Sequence, residues 1–274
     1  MQIIWLTDIH LDHVGKTEHG NFLNKIIKIA NENIREKTCV VVTGDIGNSM
    51  CTIPYMESWK TVLLEHDISL YFVYGNHDYY GSSVKVERER LASSTLKDNW
   101  LGGINSVVLS EKSALIGHDG WYDGGYANWF KSNIDMNDYY QIFEINRQWY
   151  DKGQIFEKIN QLSMESAAHV FEQGTKLLSG STKTLVIATH IPPYRENSVF
   201  MGNISDDNWL PHFSSKHMGD AITNLGKNFP EKDIVVLCGH SHGQAKHMPL
   251  PNIVSFTSEA RYKHPVISDV FVDL

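Results

Sequence analysis

Short apolar runs recur along the chain, and most of them end in a polar or glycine-rich segment. Each run has about the length of a strand and is rich in Val, Ile and aromatic residues, a composition typical of β-structure. The hydrophobicity is continuous rather than alternating, so we expect strands that are buried on both faces. The predicted strands lie in QIIWLTD, CVVVTGD, SLYFVYGNHD, SVVL, SALIGHD, TLVIATH, DIVVLCGH, NIVSFT and PVISDVFVDL.

Segments with a helical period separate several of these runs. Residues 21–37 repeat apolar side chains on one face, namely Phe22, Ile26, Ile29, Ala30 and Ile34. A second helix is predicted in PYMESWKTVLLEH with Pro54 at its first position, and a third in SSVKVERERLASSTLK behind a serine cap. Residues 154–178 and the segment HMGDAITNLGKNF complete the predicted helices. Strand and helix alternate, which indicates the α/β class.

Residues 120–150 show no clear period, and we predict an irregular insertion there within a single domain spanning residues 1–274. The segment contains the aromatic stretch GWYDGGYANWF. Two interpretations of this stretch remain open. It packs in the core over a sheet edge, or it forms a wall above a binding site that stacks on a substrate ring.

Composition limits the classes of function. The chain has 274 residues, of which 42% are hydrophobic and 20% charged, as in ordinary globular proteins. The net charge of −8 makes nucleic acid an unlikely partner and disfavours an anionic membrane surface. No apolar run approaches the ~18 residues of a membrane span, and the first residues do not resemble a signal peptide. The three cysteines match no zinc spacing, so we expect reduced thiols and a cytoplasmic protein.

Potential ligands follow five of the predicted strands. In open α/β sheets, ligands bind at the carboxyl ends of strands, so we expect these side chains to meet. They are Asp8 and His10 in TDIH, Asp45 in TGDIG, Asn76 and His77 in GNHDY, His190 in ATHIPP, and His240 and His242 in CGHSHG. Glycine precedes Asp45, Asn76 and His240, which lets the backbone bend or approach an ion closely.

Asp and His without thiolate suit divalent ions such as Mn, Fe, Zn or Ni. Seven ligands are too many for one tetrahedral zinc ion, but they are about right for two ions that share a carboxylate. Two ions about 3.5–4 Å apart stabilise both the attacking and the leaving oxygen of a phosphoryl displacement. The residue types therefore indicate dinuclear metal chemistry.

The blocks Asp8-x-His10, Gly44-Asp45, Gly75-Asn76-His77-Asp78, His190 and Gly239-His240-x-His242, in this order, resemble the calcineurin-like metallophosphoesterase superfamily. The resemblance implies a four-layer α/β/β/α sandwich of two mixed sheets flanked by helices. It implies that Asp8, His10 and His242 hold one metal ion, that Asn76, His190 and His240 hold the other, and that Asp45 bridges them. It further implies that a hydroxide between the ions attacks phosphorus, and that His77 contacts the phosphoryl group and protonates the leaving oxygen.

Departures from subfamily patterns narrow the expected activity. The second block reads GDIGNSM, without the Asp-Arg-Gly of phosphoprotein phosphatases. The chain has no room for the extra domains of the related repair nucleases. We therefore expect a phosphatase or phosphodiesterase for small phosphoesters, with Mn or Fe as the favoured ions. A scaffold without turnover and a nuclease remain alternatives, and the monoester or diester preference and the oligomeric state remain open.

Two further residues are weaker candidates. His118 precedes Asp119 at a strand end and could act on the substrate side, and Arg195 could bind phosphate. Six other histidines are expected on the surface or on helix faces: His66, His169, His212, His217, His247 and His264.

Overall fold

Two large β-sheets lie face to face in the computed structural model, which describes residues 1–32, 37–104 and 106–273. The strands are β1 (Gln2–Leu6), β2 (Thr38–Thr43), β3 (Ile68–Val73), β4 (Val107–Val108), β5 (Ser113–His118), β6 (Thr184–Thr189), β7 (Val199–Phe200), β8 (Asn203–Ile204), β9 (Asp233–Cys238), β10 (Ala245–Leu250), β11 (Ile253–Thr257) and β12 (Asp269–Val272). The helices are α1 (Lys16–Glu32), α2 (Thr52–Leu64), α3 (Val84–Ser93), α4 (Asp138–Gln141), α5 (Lys152–Leu178), α6 (Leu210–Phe213) and α7 (Lys216–Asn228).

Both sheets are mixed, with parallel strands at their centres. The first has the order β12-β1-β2-β3, in which β1, β2 and β3 are parallel and β12 is antiparallel. The second has the order β10-β11-β9-β6-β5-β4, in which β11, β9, β6 and β5 are parallel and the edge strands are antiparallel. The carboxyl ends of parallel strands lie at one edge of each sheet, and these ends carry the predicted ligands.

The pleat of β1 shows how the layers form. Ile3 and Trp5 lie in the core between the two sheets, whereas Ile4 and Leu6 belong to the core on the outer face of the first sheet. Helices α1 and α2 contribute to that outer core. Helices α5 and α7 cover the outer face of the second sheet. The four-layer α/β/β/α sandwich is therefore confirmed.

The helix predictions hold with shifted ends. Helix α1 begins at Lys16 rather than at residue 21, and Ile34 lies outside the described residues. Helix α2 begins at Thr52, so Pro54 lies at its third position and not at its first. Proline is tolerated there because the first N–H groups of a helix have no intrahelical partner. Ser83 caps α3 as predicted, by accepting from the N–H of Val86.

The short helices α4 and α6 were not predicted, and neither were two groups of strands. The edge strand β10 has residues of alternating exposure, so it forms no continuous apolar run. The two-residue strands β7 and β8 form a short hairpin around Met201, which is exposed. Both lie near the rim of the fold, where burial on one face gives a weak hydrophobic pattern.

Residues 120–150 are described throughout, and they contain the short helix α4 and a 3₁₀ turn but no strand. Trp121, Tyr122 and Trp129 of this segment are buried in the core beside the first sheet. The core-packing interpretation of the aromatic stretch is therefore the one that the structure supports. No helix of the described residues is both long and apolar enough to cross a membrane.

Candidate dinuclear metal centre

Five strand ends converge and bring the seven predicted ligands together. Asp8 follows β1, Asp45 follows β2, Asn76 follows β3, His190 follows β6, and His240 with His242 follows β9. Their side chains are largely withdrawn from solvent, with His10 and His190 fully buried and Asp8 and Asp45 2% exposed. A polar cluster so deeply buried needs internal partners or a bound ion.

The first group consists of Asp8, His10, Asp45 and His242. One ligand atom of each residue lies within 4.8 Å of all the others. His242 Nε2 is 3.3 Å from Asp8 Oδ1, and His10 Nε2 is 3.8 Å from Asp45 Oδ2. Two carboxylates and two imidazoles around one point can hold a divalent ion.

The second group consists of Asn76, His190 and His240, with Asp45 on the side toward the first group. Asn76 Oδ1 is 3.0 Å from His190 Nε2 and 2.9 Å from His240 Nδ1. His190 Nε2 is 3.4 Å from Asp45 Oδ1. Asp45 therefore presents one oxygen to each group, as a bridging carboxylate would.

Hydrogen bonds on the far side of each ligand set the direction of its free electron pair. His190 Nδ1 donates to the backbone oxygen of Thr43 at 2.8 Å, and His240 Nε2 donates to the backbone oxygen of His212 at 3.0 Å. The amide nitrogen of Asn76 donates to Asp138 Oδ1 at 2.9 Å. In the neutral histidines, each ring proton is thereby placed away from the centre.

As a result, Asn76 Oδ1, His190 Nε2 and His240 Nδ1 face one another as three acceptors. None of the described side chains places a proton donor between them. Burial lowers the pKa of His190 and of His240, so both imidazoles are neutral without ions. Three converging electron pairs without a proton fit a bound cation, and this donor set therefore fits the second ion of a dinuclear centre.

The buried carboxylates of Asp45 and Asp8 are also more stable beside a positive charge. Burial raises the pKa of Asp45 well above its usual range, and the nearby carboxylates of Asp8 and Asp78 add to this effect. Burial also opposes ionisation of Asp8, but its contact with His242 keeps the pKa of Asp8 low. A divalent ion beside Asp45 would offset the cost of its buried charge.

The backbone at the ligands is strained. Positive φ angles occur at Asp8 (49°), His10 (40°), Asp45 (50°), His240 (69°) and His242 (57°). Non-glycine residues rarely adopt this region, and such strain concentrates at functional sites. The loop after β9 therefore bends at His240 and His242 themselves. Gly239 is needed before them because a side chain there would overlap Asp8.

His77 lies at the mouth of this cluster. Its ring stacks on Tyr80 at a centroid distance of 4.2 Å, and its side chain is 18% exposed. His77 Nε2 is 3.9 Å from Asp45 Oδ2 and 3.5 Å from the hydroxyl of Tyr262. This position, beside the ligands but partly open to solvent, is suitable for contact with a substrate.

The weaker candidates lie elsewhere. His118 is buried on the outer face of the second sheet, where its ring is 5.3 Å from that of His169. Arg195 is half-exposed and pairs with Asp207. The surface prediction for His212 is wrong, because its ring is fully buried between Ser132 and Tyr139 while its backbone oxygen holds His240.

Sequence reasoning missed several residues that support the site. Asp138 is fully buried and accepts from Asn76, from the hydroxyl of Tyr80 at 2.6 Å and from that of Tyr122 at 3.0 Å. Tyr262, in the loop after β11, lies over His10 with a centroid distance of 4.3 Å. Neither residue belongs to a strand-end block, so the order of motifs gave no signal for them.

Asp78 was visible in the GNHD block but not assigned a role. Its carboxylate is fully buried and accepts from the backbone N–H groups of Ile46, Gly47 and Gly75 and from the hydroxyl of Thr52. These bonds join the loop after β2 to the loop after β3. Asp78 therefore fixes the distance between Asp45 and Asn76.

The two-sheet sandwich and the buried Asp–His–Asn cluster at its strand ends are those of a metal-dependent phosphoesterase. Residues 1–244 match the family model described as calcineurin-like phosphoesterase, and the chain belongs to this family. No curated protein sequence matches the chain.

Solved structures show the same fold. The chain is similar to a dimetal phosphatase from Danio rerio, with a TM-score of 0.60 and 14% identity, over 97% of this chain and 89% of that one. It is also similar to a 5'-nucleotidase from Candida albicans, with a TM-score of 0.52 and 14% identity, over 96% of this chain and 45% of that one. At these identities the likeness concerns the fold.

Proposed function

We propose that this protein hydrolyses phosphoric esters of small molecules at a centre of two divalent metal ions. Asp8, His10 and His242 would hold one ion, Asn76, His190 and His240 would hold the other, and Asp45 would bridge them. His77 would act on the substrate. Mn and Fe are the favoured ions, because the donor set combines oxygen and imidazole nitrogen without thiolate.

The observation that carries the proposal is the convergence of Asn76 Oδ1, His190 Nε2 and His240 Nδ1 beside the Asp45 carboxylate. Hydrogen bonds to Thr43, His212 and Asp138 direct the protons of all three outward. A scaffold that binds no metal ions would not need this arrangement. When bound, two ions supply Lewis acidity and lower the pKa of a water molecule toward neutrality.

His77 would give a proton to the leaving oxygen. In the free protein its pKa is about 3, because burial and the nearby His190 disfavour the charged ring. The negative charge of a bound phosphoryl group acts in the opposite direction and favours the imidazolium. The stack of its ring on Tyr80 would limit the motion of His77 beside a bound ester.

The test is hydrolysis of 4-nitrophenyl esters of phosphate by the purified, Mn²⁺-loaded protein, together with a count of bound ions. We expect turnover that a chelator abolishes. His190→Ala should lose one ion and at least a hundredfold in kcat, whereas His66→Ala, which changes an exposed histidine, should retain both. Two bound ions without turnover of any ester would instead favour the binding scaffold.

A cytoplasmic location is part of the proposal. It is supported by the three free thiols Cys39, Cys51 and Cys238. Free cysteines are typical of proteins in a reducing compartment.

A further inference from the structure

Two cavities meet at His77. The larger has a volume of about 710 Å³ and the smaller about 360 Å³. His77, Tyr80, Asn137 and Tyr262 line both of them. His77 and Tyr262, whose Nε2 and hydroxyl are 3.5 Å apart, stand between the two spaces.

The smaller cavity is lined by four of the seven proposed ligands, Asp45, Asn76, His240 and His242, and by an aromatic wall. Phe200, Trp209 and Phe213 line it beside these ligands, and the ring of Phe213 is 5.1 Å from that of His240. The rings of Trp209 and Phe213 are 5.0 Å apart, and those of Phe200 and Trp209 are 5.9 Å apart. Aromatic surfaces of this kind stack on flat rings.

The larger cavity has polar and apolar lining in about equal proportion. Its polar lining comes from Asp12, His13, Asn48, Ser49 and Gln141, and the exposed side chain of Met50 adds apolar surface. A substituent there can make hydrogen bonds to these polar side chains. The two cavities therefore offer different surroundings on the two sides of His77.

Charge provides a second argument. Neither cavity is lined by a lysine or arginine of the described residues, and Asp135 in the smaller cavity is already paired with Arg147 at 2.7 Å. A phosphomonoester carries roughly −1.5 to −2 charges at neutral pH, whereas a diester carries one. A diester therefore makes the smaller demand on cavities in which none of the described lining side chains is a lysine or arginine.

On the basis of the proposed function, we infer that the substrate is a phosphoric diester. One flat aromatic substituent lies against Phe200 and Trp209, and one polar substituent lies in the larger cavity. The phosphoryl group between them lies beside His77. A monoester has a single substituent and leaves one of the two cavities without a role.

The first test compares bis(4-nitrophenyl) phosphate with 4-nitrophenyl phosphate, because both release the same leaving group. With Mn²⁺-loaded protein we expect kcat/KM to be at least tenfold higher for the diester. Equal or faster turnover of the monoester would overturn the inference but leave the proposed function intact. No turnover of either ester by protein with two bound ions would overturn both.

The second test measures binding without turnover. Calorimetric titration of the loaded protein with diphenylphosphinate, a monoanion whose P–C bonds cannot be hydrolysed, should give a Kd that Trp209→Leu raises by a factor of roughly 3 to 10, the value of one aromatic contact. Trp149→Leu removes an exposed tryptophan that lines neither cavity and should leave this Kd unchanged. An unchanged Kd in Trp209→Leu would contradict the placement of the aromatic substituent.

The polar side is tested at Gln141, an exposed residue at the larger cavity. Gln141→Trp reduces the space there, and we expect it to lower kcat/KM for the diester at least tenfold more than for the monoester. A uniform effect on both esters would show that the larger cavity does not receive a substituent.

Discussion

Replacement of Asp138 by alanine tests whether residues outside the motifs set the geometry of the second ion. The Asp138 carboxylate is fully buried and accepts from the Asn76 amide at 2.9 Å and from the Tyr80 hydroxyl at 2.6 Å. Without this acceptor the Asn76 amide can rotate and direct its nitrogen toward His190 and His240. It would then donate to the two imidazoles and occupy the place of the ion.

The expected magnitude follows from the bonds lost. Loss of a partner that orients a metal ligand costs about 10- to 100-fold in metal affinity, or roughly 1.4 to 3 kcal/mol. A hydrogen bond to a charged acceptor contributes a similar amount, about 1.5–3 kcal/mol. We therefore expect Asp138→Ala to lower the affinity for the second ion by about 10- to 100-fold and the affinity for the first ion much less.

The assay is a Mn²⁺ titration that resolves two binding steps, with circular dichroism as a check of folding. Asp138→Asn keeps one acceptor oxygen, so its affinity for the second ion should lie between that of the wild type and that of Asp138→Ala. Asp220→Asn, which alters an exposed carboxylate paired with Lys216, should bind both ions as wild type does. Wild-type affinity for both ions in a folded Asp138→Ala protein would refute the reasoning, and so would an equal loss at both sites.

Three more predictions concern roles, pH and metal removal. His77→Ala should keep two ions and lose about 10²- to 10⁴-fold in kcat, whereas Asp45→Asn should lose bound ions as well as activity. Loss of ions in His77→Ala, measured by elemental analysis, would contradict the division into metal ligands and a proton donor. Burial lowers the pKa of His118 to about 3, so the unfolded chain takes up a proton below about pH 6.5 that the folded chain does not. Stability is therefore lost as the pH falls, by about 3 kcal/mol at pH 4.5 from this group, and His118→Leu should show a shallower loss in urea unfolding. Mn²⁺ at a hundredfold excess over its Kd should raise the free energy of unfolding by about 3 kcal/mol in a denaturant titration, and a chelator should remove this gain.

The parallel core strands could be predicted because each is buried on both faces. Ile3 and Trp5 face one layer and Ile4 and Leu6 the other, so β1 appears in the sequence as a continuous apolar run. Strand β10 alternates in exposure and lies at an edge, and its sequence AKHMPL gives no such run. The ends of helices were less predictable, since the start of α2 depends on bonds from Thr52 to Asn48 and Asp78.

The convergence of the seven ligands could be predicted because each follows a buried parallel strand, and the ends of such strands meet. The orientation of those ligands could not be predicted, because it depends on residues that are distant in sequence. Asp138 directs Asn76 from 62 positions away, and the backbone oxygen of His212 directs His240. The aromatic wall of Phe200, Trp209 and Phe213 was missed for the same reason, since a hairpin and a short helix assemble it in space.

The most direct test of the account is anomalous diffraction at the manganese edge from crystals of the Mn²⁺-loaded protein. The account predicts two peaks about 3.5–4 Å apart. One should lie among Asp8, His10 and His242, the other among Asn76, His190 and His240, and Asp45 should lie between them. A single peak, or peaks away from these side chains, would contradict the dinuclear centre.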